Sequence, residues 1–119
     1  EMHAGFDNLR REMPMNVRAA GHRIRPSDAC QSEIARIGEI WRDCRHRFGQ
    51  DGAFLFGGVS AADAMFAPIV SRFKTYGVSL DAVAADYAEA VWSSENMQWW
   101  RAASADEPWT IPREEVGQL

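Results

Sequence analysis

Three histidines and two cysteines are the side chains of this sequence best suited to bind metal, attack a substrate or carry a proton. His3, His22 and His46 lack the spacing of metal ligands, and Cys30 and Cys44 do not form the CxxC pattern of a redox or zinc site. On one helix, fourteen positions at about 1.5 Å each would hold the two thiols about 21 Å apart, too far for a disulfide. Two free thiols of this kind fit a reducing compartment. No nucleophile elbow, phosphate-cradling glycine loop or paired-carboxylate arrangement occurs. Taken by itself, His3 reads as an exposed helix histidine that could pair with Asp7 one turn on. Arg10, on nearly the same face, reads as a solvated arginine.

The elements that would position these groups are helices. Met2, Phe6, Leu9 and Met13 recur at spacings of four, three and four and predict a helix from the start of the chain to Pro14. An irregular connection then leads to Ser27 and Asp28, either able to cap a second helix that ends at Gly49. Its apolar stripe is Ile34, Ile37, Trp41, Cys44 and Phe48. Residues 50–59, with glycines at 52, 57 and 58, read as a loop. Ser60-Ala61-Ala62-Asp63 fits a capping box, in which hydroxyl and carboxylate each satisfy the other residue's amide. A third helix follows with Phe66, Ile69, Val70 and Phe73 inward, and Pro68 should kink it by removing one amide donor. Ser79 is the expected cap of a fourth helix bearing Leu80, Val83, Ala84, Tyr87 and Val91 on its inner face. Ser93 and Ser94 open a fifth, through Met97 and Trp100 to about Ala103. Trp109, Ile111 and two prolines then suggest an extended segment laid across the helices. The pattern is an all-α, five-helix bundle forming one domain over residues 1–119.

Composition agrees. A chain of 119 residues that is 46% hydrophobic has enough apolar material for a core. The net charge of −4 gives no field to attract nucleic acid. Arg42, Arg45 and Arg47 cluster without interleaved aromatics and read as a solvated helix face. The apolar runs are too short to cross a bilayer, and no signal peptide opens the chain, so the expected location is cytoplasmic. The chain begins in mid-pattern at Glu1, which suggests a fragment whose first helix has lost its front.

Two stretches carry a family resemblance. Phe54-Leu55-Phe56-Gly57-Gly58-Val59-Ser60-Ala61-Ala62-Asp63-Ala64 resembles the segment that opens the central helix in the helical domain of cytosolic glutathione transferases. Glu1-Met2-His3-Ala4-Gly5-Phe6 is similar to the opening of that domain in bacterial beta-class enzymes. The resemblance implies a C-terminal helical domain whose thioredoxin-like partner domain is missing. It implies that His3 faces the sulfur of glutathione, the co-substrate, and helps hold it as a thiolate. Phe6 would line the pocket for a small hydrophobic electrophile, Arg10 could guide an anionic group, and Phe73 either reaches the pocket or, the preferred reading, belongs to the core. Ser60 and Asp63 would be structural, nucleating the third helix. A homodimer through the first two helices is implied, with no metal. The isolated chain is expected to be inactive and, with apolar surface uncovered, prone to self-association.

Two other readings stay open. The same domain serves in some proteins as a non-catalytic interaction module, which the capping box would suit equally. The third reading is an unrelated helical bundle with a purely structural role.

Overall fold

Trp41 has no exposed surface, and the rest of the chain is arranged around it. The structure, a computed structural model, describes residues 1–118. It consists of five helices: α1 (Asp7–Glu12), α2 (Asp28–Phe48), α3 (Ala61–Tyr76), α4 (Ala82–Trp92) and α5 (Glu95–Ala105), followed by a 3₁₀ turn at Pro112–Glu114. The fold is an all-α bundle, as the periodicity predicts. Trp41 of α2 meets Phe66 and Phe73 of α3 and Tyr87 of α4 edge-on, at ring separations of 5.6, 5.7 and 4.9 Å. Such pairs add about 0.5–1.5 kcal/mol each beyond the area they bury. Ile37, Val70, Ala84 and Leu9 close the core around this cluster.

α2 starts and stops where its sequence indicates. Ser27 accepts the Cys30 amide at 3.1 Å, and Gly49 follows its last turn. Phe48 departs from the predicted stripe, because α2 outruns the bundle there. The ring stays half exposed and rests edge-on against Phe56 at 5.7 Å.

α1 is the main correction, since it covers only Asp7–Glu12 rather than the whole stretch to Pro14. Gly5 N donates to Glu1 O at 2.8 Å, closing a separate turn, and Phe6 adopts a left-handed backbone with φ of 65°. That conformation is costly for an aromatic residue and interrupts any helix. It is compensated by burial of the Phe6 ring and by a cap from another element. Glu33 on α2 accepts the Leu9 amide at 2.6 Å, the Asn8 amide at 3.3 Å and the Asn8 side chain at 3.0 Å. A carboxylate here satisfies the free amides of the first turn and favours its dipole.

α3 carries the predicted capping box. Ser60 N donates to Asp63 Oδ2 at 2.8 Å, and the other carboxylate oxygen accepts Leu55 N at 3.2 Å and Tyr87 Oη at 2.9 Å. One buried Asp therefore fixes the start of α3, the preceding loop and α4 together. The helix runs continuously through Pro68 and ends at the left-handed Gly77, where Val78 N reaches back to Phe73 O at 3.0 Å. The cap of α4 is Asp81 rather than Ser79, accepting Ala84 N at 3.0 Å. This later start leaves Val83 half exposed while Ala84, Tyr87, Ala88 and Val91 are buried. Ser94 caps α5 as expected.

Beyond α5 the chain returns over the connection between α1 and α2. Arg18 donates to the carbonyls of Glu107 at 2.7 Å and Trp109 at 2.9 Å, Asn16 to Glu115 at 2.8 Å, and Arg23 N to Gly117 O at 2.7 Å. The segment is held, but through its backbone and polar groups. Trp109 and Ile111, expected to lie on the helices, are 79% and 57% exposed.

Candidate functional site

Beside the buried stripe of α3, and sharing Ile69 with it, Met65, Pro68, Ile69 and Arg72 recur at the i, i+3, i+4, i+7 spacing of one helical stripe. Opposite it stand the opening turn with Met2 and His3, then Arg10 of α1 and Met15 just beyond it. Trp100 of α5 closes one end. Together they line a groove of about 410 Å³, within the range of small-molecule sites. Its walls are mainly apolar. Pro68 contributes a ring and no amide, so the Ala64 carbonyl beside it lacks its usual helical donor.

Arg10 ties the opening turn to α1, its Nη2 lying 2.5 Å from Met2 O and 3.2 Å from His3 O. Arg72 donates from Nε to Met13 O at 2.8 Å. Burial, and next the nearby positive charge of Arg10, hold the Arg72 guanidinium below its ordinary range. His3 is exposed, on a turn rather than a helix.

A second groove, also about 410 Å³, adjoins the first at Met15 and Trp100. Trp99, Trp109 and Ile111 border it with Arg18 and Glu107. Trp99 is 73% exposed.

Of the residues singled out by sequence, His3 and Arg10 border the first groove. Phe6 and Phe73 do not. Both are buried in the core, Phe73 against Trp41 and Phe6 beside the start of α1. For Phe73 this is the preferred reading. For Phe6 it replaces a pocket wall with a core role, because the left-handed backbone swings the ring inward. Ser60 and Asp63 have the structural part expected of them. Sequence reasoning missed Arg72, Met15, Met65 and Trp100. The spacing of Met65, Pro68, Ile69 and Arg72 marks a second face of α3, and that signal lies in the sequence itself.

The thiols are poorly placed for nucleophilic work. Burial pushes the Cys30 thiol up to about 11, with Glu12 and Glu33 adding to the effect, and burial also raises Cys44. Both are free. Among the described residues, no three His, Cys, Asp or Glu side chains come together in a way that could hold a metal ion, and no helix is long and apolar enough to cross a membrane.

Compared with known protein families and with curated proteins, the chain gives no significant match to either.

Proposed function

We propose that this chain is the helical domain of a glutathione transferase and supplies the wall of the pocket in which a small electrophile meets the glutathione sulfur. The observation that carries the reading is the convergence of His3 and Arg10 on one apolar-walled groove. His3 lies in the same opening motif that resembles the beta-class enzymes.

Glutathione, when bound, supplies the sulfur nucleophile. His3 would donate a hydrogen bond to that sulfur and stabilise its charge, a task suited to an exposed imidazole at a groove edge. Met65, Ile69 and Trp100 would exclude water from the electrophile. Phe6 acts from the core, setting the backbone that presents His3. A thioredoxin-like domain would hold most of the glutathione, and two copies would pair through α1 and α2 in the cytoplasm.

The runner-up is an interaction module without catalysis. The exposure of Trp99 and Trp109 favours it, since large open aromatics commonly anchor partners.

The test begins with the mass of the polypeptide in its source. If it carries a thioredoxin-like half, that protein is assayed for glutathione conjugation to a chromogenic aryl halide. His3→Ala should lower kcat at least tenfold. Normal turnover by the variant would remove His3 from the mechanism, and no conjugation or glutathione binding by the wild type would favour the interaction module.

A further inference from the structure

We propose that the groove between α1 and α3 is an anion subsite, in which Arg10 and Arg72 receive a carboxylate or sulfonate on the electrophilic substrate while its apolar body lies against Met65 and Trp100. The inference rests on the transferase reading for the word substrate, but not for the binding of an anion.

The argument starts from charge pairing. This chain has a net charge of −4, so carboxylates are not scarce. Several of its cations have found one: Arg36 pairs with Glu1 and Glu39, Arg42 with Asp81, Arg47 with Asp43 and Lys74 with Glu89. Among the described residues, Arg10 and Arg72 pair with none; Arg45 and Arg101 are likewise held by carbonyls, but Arg10 and Arg72 share one apolar-walled groove. Each is held by backbone carbonyls alone, Arg10 by Met2 and His3, and Arg72 by Met13. Carbonyls orient a guanidinium without neutralising it.

The two guanidiniums also line the same groove, and the charge of Arg10 disfavours that of Arg72. An uncompensated pair of like charges beside an apolar wall is unfavourable to the folded chain, and an anion between them relieves it. The gain is larger than at an open surface, because the apolar wall lowers the local dielectric. Guanidinium forks suit planar carboxylate and the oxygens of sulfonate better than an ammonium would. The volume of about 410 Å³ accommodates a one- or two-ring body behind such a group. Glutathione offers carboxylates of its own, so the experiment must separate the two sources.

The probes are 2-naphthalenesulfonate, its neutral analogue 2-naphthalenemethanol, and glutathione, each titrated calorimetrically into the 119-residue chain. The sulfonate should bind at least tenfold more tightly than the alcohol. Arg72→Met and Arg10→Met should each erase that preference, and Arg72→Lys should keep part of it. Arg11→Met, with the same loss of charge on α1 but outside the groove, should leave it unchanged. Circular dichroism checks that the variants are folded, and Arg72→Lys keeps the test valid if Arg72→Met is not. Equal binding of sulfonate and alcohol would overturn the proposal. So would an arginine-dependent affinity for glutathione in place of the sulfonate. Absence of conjugation by the longer protein, with the sulfonate preference intact, would sink the transferase reading and leave the anion subsite standing.

Discussion

Replacing Asp63 with alanine should cost this chain about 3–7 kcal/mol, a large part of the roughly 5–15 kcal/mol that holds a domain folded. Asp63 is 4% exposed. Removing its carboxylate leaves Tyr87 Oη and Leu55 N buried without an acceptor, at about 1–3 kcal/mol each. It also strips the α3 cap supplied through Ser60 N, for about another 1 kcal/mol. Tyr87→Phe removes only one donor and leaves the carboxylate its other partners, so about 1–2 kcal/mol is expected. In Asp63→Ala the Tyr87 hydroxyl has already lost its partner, so the double variant should fall short of additivity by about 1–2 kcal/mol. Urea unfolding followed by circular dichroism measures all three, with the dependence on denaturant unchanged between variants. If Asp63→Ala fails to fold, Asp63→Asn gives a graded version, because it keeps one acceptor oxygen. A cost below about 1 kcal/mol for Asp63→Ala, or strict additivity with Tyr87→Phe, would refute the idea that this carboxylate ties α3 to α4.

Three further outcomes follow from the same geometry. Glu33→Ala should fray α1 and cost about 1–2 kcal/mol through the lost cap and dipole interaction, seen as faster hydrogen exchange at the Asn8 and Leu9 amides. Glu12, lowered by hydrogen bonds from the Ser27 hydroxyl and amide, contributes stability above its ordinary value of 4.5 and loses it as pH falls through the lower folded value. Glu12→Gln should therefore lower stability at neutral pH and flatten the acid limb below about pH 4.5, so that variant and wild type converge as the pH falls. Cys30, buried and shifted to about 11, should resist a thiol reagent at about pH 8 until the chain unfolds, whereas rapid labelling of the folded chain would contradict its burial in the first turn of α2.

The helices legible in advance are those whose start, stripe and stop agree. α2 has Ser27, then Ile37 and Trp41, then Gly49, and α3 has its capping box and Gly77. Local chemistry specifies both ends, so tertiary contacts only confirm them. α1 is different. Its apolar spacing fits a longer helix, yet the chain turns at Gly5 and Phe6, because the cap it needs comes from Glu33, far along the chain on α2. Nothing local announces a partner at that distance. The start of α4 is ambiguous for a simpler reason: Ser79 and Asp81 are both competent caps, and Asp81 also pairs with Arg42 of α2.

Site residues divide along the same line. Periodicity tells which face of α3 is buried, but Met65, Pro68 and Arg72 flank that face at Ile69 and stay partly exposed, and a stripe does not say whether it meets another helix or a ligand. That distinction lies in what stands opposite. Here it is a short turn held by Arg10 to two carbonyls, too small to cover α3, so the groove remains. The placement of Phe6 follows from the same turn: a longer α1 would have carried the ring along its length, and the left-handed residue instead commits it to the core and leaves His3 in the open. The backbone at Phe6 thus decides which of the two faces the groove. Phe6→Gly would relax that backbone and empty its place in the core. It should weaken the groove and the fold together, whereas His3→Ala should leave stability unchanged.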